Sequence, residues 1–267
     1  MARVRTFIFL CVVAAVALLA SYMFASYIDT AAAYAHYREL GFGHVFVLSE
    51  PPYAARRRNM ARILQQQGIF FGFFRATAAF DIDHREAYSF WLGEEHWPPV
   101  PANHTAPAAL LASFRTHMNA INDVIRLELP SALILADSVD ISLDAKQRMH
   151  SIAKALPASW DVLFLGHCSP APAQRPSALH PDLYVAADPQ CAVAYAISNA
   201  CAVRLKRVLD HMWPHPSQSF EQVLAGMVAP MILEAYVVSP PLVAPANKSQ
   251  ALYTLRYPTL DNIGLID

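Results

Sequence analysis

Short apolar runs alternate with amphipathic segments along most of this chain, and this alternation restricts its fold more than any other feature. Residues 44–48 form a β-branched, apolar run that is typical of a buried strand. Residues 53–67 follow with Met60 and Leu64 on one helical stripe, and Gly68 supplies a stop signal. Strands that are apolar throughout, each followed by a helix, predict a parallel or mixed sheet covered by helices on both faces.

The later segments continue the same alternation. Proline-rich stretches interrupt it twice. We interpret residues 81–107 as a long surface excursion and residues 170–189 as a loop of the kind that covers a site. The predicted fold class is therefore α/β. Helices are expected at residues 108–127, 142–156, 199–211 and after a capping box at 219–222, and strands at 69–75, 132–135, 161–165, 192–197 and 235–238.

The amino terminus carries an uncharged run of 22 residues, from Phe7 to Ile28. A helix of this length spans the ~30 Å hydrocarbon core of a bilayer. Arg3 and Arg5 predict a cytosolic amino terminus, so the chain from Asp29 onward would be lumenal. The alternative is a cleaved signal peptide, whose apolar core is usually ~7 to 15 residues long. We predict a single-pass type II membrane protein of the Golgi or ER, with tail 1–6, anchor 7–28, stem 29–42 and lumenal domain 43–267.

Sites of secretory-pathway modification agree with that topology. Asn103 and Asn247 each open an N-glycosylation sequon in a proline-containing stretch. Three cysteines follow the apolar run, and an odd number leaves one unpaired in an oxidising compartment. Cys168 and Cys191 bracket the second proline-rich stretch and are expected to form a disulfide. Cys201 lies in a predicted helix and is expected to be packed.

The small net charge of the chain excludes partners that are recruited by a strong electrostatic field. The 20 Lys and Arg residues nearly balance the 21 Asp and Glu residues, which leaves a formal charge of −1. Nucleic acid is therefore not expected as a partner, and any anion site must be local. The sequence contains no P-loop, no Gly-x-Gly-x-x-Gly, no Gly-x-Ser-x-Gly and no zinc-type Cys/His spacing.

Several short motifs follow one another over roughly residues 44–250. They are Arg57-Arg58-x-Met60 after the first strand, Arg115-Thr-His-Met-Asn-Ala120, Leu133-Ile-Leu-Ala-Asp-Ser-Val-Asp140, Trp160-Asp-Val-Leu-Phe-Leu-Gly-His-Cys168, Ala194-Tyr-Ala-Ile-Ser198 and Pro240-Pro-Leu-Val243. In this order they resemble glycosyltransferase family 25, which includes lipooligosaccharide and collagen galactosyltransferases, and most closely its fungal anchored members.

The resemblance implies a GT-A-like fold, a Rossmann-type mixed sheet that binds a UDP-sugar at its strand ends. Open α/β sheets in general bind ligands at that edge. It also implies transfer of a hexose, galactose by the family's named members, to a hydroxyl of a glycan or glycoprotein. Charge grows on the diphosphate during such a displacement and must be met by a cation, while a base takes the proton of the acceptor hydroxyl.

The metal motif departs from the family pattern. Where relatives have Glu-Asp-Asp, this chain has Ala136-Asp137-Ser138, so one carboxylate of three remains. Asp137 with phosphates and water could hold Mn²⁺ or Mg²⁺ weakly, with Asp140 as a second ligand. Alternatively Asp137 is an ordinary acidic residue at a strand end and no metal binds. Arg57 would then bind the diphosphate, unless it belongs to a solvated basic face.

Two further candidates lie in the matched motifs, and a third is indicated by an acidic residue that family members carry near the same position. His117 is retained from the family's helix motif, although it also lies on an apolar stripe and would there be a core histidine. Family members carry an acidic residue near the position of Glu221, which makes Glu221 the candidate base. Alternatively, the helix dipole stabilises a carboxylate at this position without any function. Asp161 of the Trp-Asp motif would orient the donor sugar or pin its loop.

Two hypotheses of function follow. An active hexosyltransferase is favoured by Arg57, His117 and Asp161, which match the family. A glycosyltransferase-fold protein without turnover, acting as a binding or accessory subunit, is favoured by Ala136 and Ser138, which replace the metal ligands.

Overall fold

The computed structural model describes residues 40–82, 106–166, 175–187, 189, 192–211 and 219–246. All of them belong to one compact unit, Glu39–Asp267. The helices are α1 (Ala54–Gln66), α2 (Ala106–Arg126), α3 (Ala145–Ala155), α4 (Asn199–His211) and α5 (Phe220–Val228), with a 3-10 turn at Ala79–Asp81. The strands are β1 (His44–Ser49), β2 (Gly72–Arg75), β3 (Ser131–Ala136), β4 (Val139–Ile141), β5 (Val162–Phe164), β6 (Arg175–Pro176), β7 (Leu183–Val185), β8 (Ala194–Ser198), β9 (Ala235–Val238) and β10 (Val243–Pro245).

Eight of these strands form one mixed sheet, in the order β2-β1-β3-β8-β5-β9-β7-β6. β1 pairs in parallel with β2 and β3, and β5 pairs in parallel with β9. β8 is antiparallel to both β3 and β5, and β7 is antiparallel to β9. β4 and β10 form a separate antiparallel pair. The α/β class with a mixed sheet is therefore confirmed.

Alternate residues of the central strands pack against helices on opposite faces of the sheet. Phe46, Ile134 and Tyr195 belong to a core that also contains the apolar stripes of α2, α4 and α5. Val47 and Leu135 belong to a second core, with the stripes of α1 and α3. Helices thus cover both faces, as the uninterrupted apolar strands predict.

The shortest strands differ most from the sequence prediction. Residues 170–189, interpreted as a loop, contain β6 and β7, and the described chain also has β4 and β10, which no sequence pattern indicated. Each is two or three residues long, too short to show the two-residue period of a strand. Pro176 fits β6 because that strand pairs on one side only, at the edge of the sheet.

The predicted anchor, residues 7–28, and most of the predicted stem lie outside the described residues. Within the described ranges no helix is long and apolar enough to cross a membrane. The type II topology therefore stays a prediction.

Candidate functional site

A cavity of about 270 Å³ lies at the carboxyl ends of β1, β2 and β3. The segments that follow these strands contribute Glu50 and Asp137, and helices α1, α2 and α5 contribute Arg56, His117 and Glu221. Three of the residues selected from the sequence, Asp137, His117 and Glu221, therefore line one cavity. Its position is the edge of an α/β sheet at which ligands commonly bind.

Asp137 follows β3 directly, and 9% of its side chain is exposed. Its Oδ2 accepts a hydrogen bond of 2.6 Å from the hydroxyl of Ser49, a buried residue at the end of β1. Its Oδ1 lies 4.0 Å from Nη1 of Arg56. The parallel pairing of β1 and β3 brings these distant residues to the same edge. One carboxylate oxygen is thus held by the protein, and the other faces a fixed positive charge.

The guanidinium group at this cavity belongs to Arg56. Its Cζ lies 4.3 Å from the ring centre of Tyr53, and both residues line the cavity. About half of the Arg56 side chain is exposed, so its remaining donors are open to a ligand. Arg57, the arginine selected from the sequence, lies over the Phe73 ring at 4.4 Å and does not line the cavity.

His117 lies in the middle of α2, buried except for the part that lines the cavity. Its Nδ1 is 3.0 Å from the hydroxyl oxygen of Tyr195, and its ring stacks on Phe220 at 4.5 Å. Burial lowers the pKa of His117 to about 4, although the negative charge of Glu221 acts in the opposite direction. The imidazole is therefore neutral at pH 7, and its weak basicity makes it a poor general base.

Glu221 stands in the first turn of α5, directly after Phe220. A capping box holds this turn: Ser219 Oγ accepts from the Gln222 backbone N–H, and Gln222 Oε1 accepts from the Ser219 N–H. The partial positive charge of the helix terminus stabilises a carboxylate at this position. Within the described part of the chain the Glu221 carboxylate forms no hydrogen bond or ion pair, and it remains half-buried at the cavity wall.

Asp161 immediately precedes β5, a central strand, and lies at the end of the sheet opposite the carboxyl ends of β1 and β3. Its Oδ2 accepts a 2.9 Å hydrogen bond from the Glu234 backbone N–H, and its Oδ1 pairs with the Arg204 guanidinium. The carboxylate is buried and fully engaged. These contacts agree with the alternative in which Asp161 pins its loop, because the side chain is not part of the cavity lining.

Asp140 also lies away from the cavity. It is the middle residue of β4, where it pairs with Ala244 of β10, and it is not part of the cavity lining. Val139 and Ile141 on either side of it are buried, whereas Asp140 is half-exposed. The structure therefore does not bring Asp137 and Asp140 together as two ligands of one metal.

The described residues do not form a metal site by themselves. They contain no group of three or more His, Cys, Asp or Glu side chains that could hold a metal ion. The single motif carboxylate, Asp137, already accepts from Ser49 and faces Arg56, whose charge repels a cation. Residues 136–138 thus do not fit a resident Mn²⁺ or Mg²⁺. A dependence on an ion that enters together with the nucleotide stays a prediction.

Four other candidates lie outside the described residues. They are the sequons at Asn103 and Asn247 and the expected disulfide partners Cys168 and Cys191. Cys201 is described: it is a buried free thiol in α4, as expected for a packed cysteine. Burial raises its pKa to about 12, so the thiol is protonated and unreactive.

Some residues that line the cavity, or that contact its lining residues, were not found by sequence reasoning. Ser49 is an ordinary strand-end serine, and its contact with Asp137 depends on strand order. Tyr53 and Tyr195 carry no motif signal of chemistry, although Tyr195 lies within a matched motif. Arg56 could have been found, because it adjoins the Arg57-Arg58 pair of the matched motif.

Comparisons with known proteins give little beyond this geometry. No protein-family model matches the chain, and no curated protein sequence matches it. Among solved structures it is similar to a mannose-1-phosphate geranyltransferase from Thermus thermophilus, with 11% sequence identity, 73% of each chain covered and a TM-score of 0.37. A similarity at this level carries no functional argument, so the function is argued from the cavity.

Proposed function

We propose that this protein is a family 25-like glycosyltransferase that moves a hexose from a UDP-sugar to a hydroxyl of a glycan or glycoprotein. One observation carries the proposal: Asp137, His117 and Glu221, selected from separate parts of the sequence, line the same cavity at the carboxyl ends of β1, β2 and β3. Galactose as the sugar and the Golgi or ER lumen as the compartment come from the resemblance and from the apolar run at residues 7–28.

The lining divides into groups suited to different parts of such a reaction. Arg56 supplies a planar set of N–H donors that matches phosphate oxygens. Glu221 forms no hydrogen bond or ion pair with the described residues, and it is the group to take the proton of the acceptor hydroxyl. The acceptor oxygen then bonds to the anomeric carbon as the bond from that carbon to the diphosphate breaks and UDP leaves. Glu50 and Asp137 are carboxylates that can accept hydrogen bonds from sugar hydroxyls.

The charge of the lining restricts where the diphosphate can lie. Among the described residues, three carboxylates line the cavity together with one arginine, so this part of the lining as a whole does not attract anions. The diphosphate must therefore bind locally, beside Arg56 and the first turn of α1, whose N–H groups point out of the helix end. No step of this proposal requires a metal ion. Mn²⁺ or Mg²⁺ would add positive charge to the same region if it entered with the nucleotide.

The test is a panel of UDP-hexoses with the full-length protein in detergent, with and without Mn²⁺. We expect slow release of UDP from one sugar donor and faster release when a hydroxyl acceptor is added. Glu221→Gln should lose at least ~100-fold in turnover, the usual contribution of a general base. Glu128→Gln, an exposed carboxylate at the end of α2, is the matched control and should keep full turnover. Equal turnover in both variants would contradict the role of Glu221.

A binding or accessory protein without turnover is the second candidate. It is favoured by the engagement of Asp137, the one remaining motif carboxylate, with Ser49 and Arg56. This candidate predicts that calorimetry detects UDP-hexose binding while no UDP is released with any acceptor. Absence of UDP-hexose binding would exclude both candidates.

A further inference from the structure

His117 and Tyr195 form a buried polar pair behind the cavity. His117 comes from α2 and Tyr195 from β8, and the imidazole Nδ1 lies 3.0 Å from the phenol oxygen. Tyr195 is completely buried, and His117 is 6% exposed. Only His117 of the two lines the cavity. A hydrogen bond placed behind a cavity residue can determine which atom that residue offers to a ligand.

The donor of this hydrogen bond follows from the need to satisfy buried polar groups. A tyrosine hydroxyl has one proton to donate, and among the described residues Tyr195 has no hydrogen-bond partner except His117. If Nδ1–H donated to the phenol oxygen, the phenol proton would be left buried without an acceptor, which costs its full desolvation free energy. The phenol therefore donates and Nδ1 accepts.

The protonation states of both groups are consistent with this assignment. Burial, together with the negative charge of Glu221, raises the pKa of Tyr195 well above 10, so the phenol keeps its proton. Burial lowers the pKa of His117 to about 4, so the imidazole is neutral. A neutral imidazole that accepts at Nδ1 carries its proton on Nε2.

The ring is also fixed in orientation. Phe220 stacks on it with an interplanar angle of 4°, and Tyr195 holds one nitrogen. Nε2 forms no hydrogen bond with the described residues. It is also absent from the buried polar atoms that lack a hydrogen-bond partner, so Nε2 is not buried. Nε2 is thus the nitrogen of His117 that remains available at the cavity.

We infer that Tyr195 is a positioning residue: it holds His117 in the tautomer protonated at Nε2, so that His117 donates a hydrogen bond to an oxygen atom of the bound sugar nucleotide. The identity of the ligand rests on the proposed function, whereas the tautomer does not. In this arrangement His117 orients the substrate and Glu221 alone of the two serves as the base.

The tautomer is tested by NMR on the full-length protein labelled with ¹⁵N-histidine, in which His117→Gln assigns the His117 signals. We expect Nδ1 to show the shift of an unprotonated acceptor and Nε2 the shift of an N–H. Tyr195→Phe should convert this pattern to a mixture of tautomers. Tyr236→Phe is the matched control, because it removes a hydroxyl that bonds Glu234 in the other core and should leave His117 unchanged.

A spectrum with Nδ1 protonated in the unsubstituted protein would overturn the inference, and so would an unchanged tautomer in Tyr195→Phe. The ligand role has a separate readout. Tyr195→Phe should weaken UDP-hexose binding on the order of tenfold, the effect of one hydrogen bond, and Tyr236→Phe should not. Unchanged affinity would overturn the donation to the ligand. No UDP-hexose binding in the unsubstituted protein would overturn the proposed function and the ligand named here, while the NMR spectrum still decides the tautomer.

Discussion

At the scale of single residues, the contacts of Asp137 indicate a role for this carboxylate. Its neighbours in the chain, Ala136 and Ser138, carry no carboxylate, and its own oxygens contact Ser49 and face Arg56. A carboxylate that orients an arginine can support anion binding without coordinating a metal. This makes Arg56 the residue whose loss should be most informative.

We predict that Arg56→Ala weakens UDP-hexose binding by ~1.5 to 3 kcal/mol, which is typical of a hydrogen bond to a charged group. Arg58→Ala is the control, because Arg58 is exposed on the same helix and does not line the cavity. Calorimetry with and without a chelator measures the UDP-hexose affinity of both variants. If Arg56→Ala binds normally but the chelator abolishes binding, the cation at the diphosphate is a metal ion.

His117 predicts a specific dependence of stability on pH. Its pKa is lowered from 6.5 to about 4 in the folded protein, so the unfolded chain takes up this proton first as the pH falls. The stability associated with neutral His117 is therefore present above pH 6.5 and is lost as the pH falls toward 4, by up to ~3 kcal/mol. Denaturant unfolding of the unsubstituted protein and of His117→Gln between these pH values measures it, and His117→Gln should show the shallower decline. Parallel curves would contradict the lowered pKa.

At the scale of elements, the first turn of α5 places two adjacent residues, Phe220 and Glu221, at the candidate site. Phe220 stacks on His117, and Glu221 lines the cavity, so the position of the first turn matters for both. The capping box between Ser219 and Gln222 satisfies two N–H groups of that turn, one of them on Ser219 itself.

We expect Ser219→Ala to lower the free energy of unfolding by ~1 kcal/mol, because the Gln222 N–H loses its acceptor. Ser219→Asp retains an acceptor at the helix start and should remain near the unsubstituted value. Thermal or denaturant unfolding of the three proteins provides the comparison. Equal losses in both variants would show that the side-chain volume of Ser219, rather than its cap, is what matters.

Asp161 and Asp123 allow an ion pair with a buried carboxylate to be compared with an exposed ion pair in one protein. Asp161 is buried and accepts from Glu234 N–H and Arg204, whereas Asp123 pairs with Arg126 at the surface of α2. Asp161→Ala should destabilise the fold by ~2 to 3 kcal/mol, because a buried N–H loses its partner. Asp123→Ala should cost less than ~1 kcal/mol.

The same pair of variants separates structural from functional roles for Asp161. Because Asp161 is not part of the cavity lining, the folded Asp161→Ala protein should bind UDP-hexose as tightly as the unsubstituted protein. A loss of affinity without a loss of stability would instead restore the donor-binding role that the Trp-Asp motif suggested.

At the scale of the whole molecule, the sequence places an apolar segment before the α/β domain, and the proposed donor chemistry would then take place in the lumen. The predicted anchor at residues 7–28 would place the amino terminus in the cytosol, and we therefore predict that residues from Asp29 onward are protected from protease in intact microsomes. Protease mapping before and after detergent measures this. Recovery of the full-length chain in a soluble cytosolic fraction would contradict it.

Much of the fold could be predicted from the sequence because local patterns specify local structure. The strand at 235–238, the helix at 199–211 and the capping box at 219–222 have the expected bounds. The mixed sheet with helices on both faces followed from apolar strands that show no polar face. The strands β4, β6, β7 and β10 could not be predicted, since two or three residues carry no period. In addition, β4 pairs with β10 and β7 pairs with β9, and these partners are distant in the sequence.

The candidate site divides in the same way. Residue types and motif order were enough to select Asp137, His117 and Glu221, because chemistry restricts which side chains can serve. Strand order and helix rotation, which arise only in the packed structure, decided the rest. They bring the Ser49 hydroxyl into hydrogen-bond contact with Asp137, and they place Arg56 rather than Arg57 at the cavity. They also place Asp161 at the opposite end of the strands, away from the cavity. They also buried Tyr195 behind His117, a contact between residues 78 apart that no local pattern encodes.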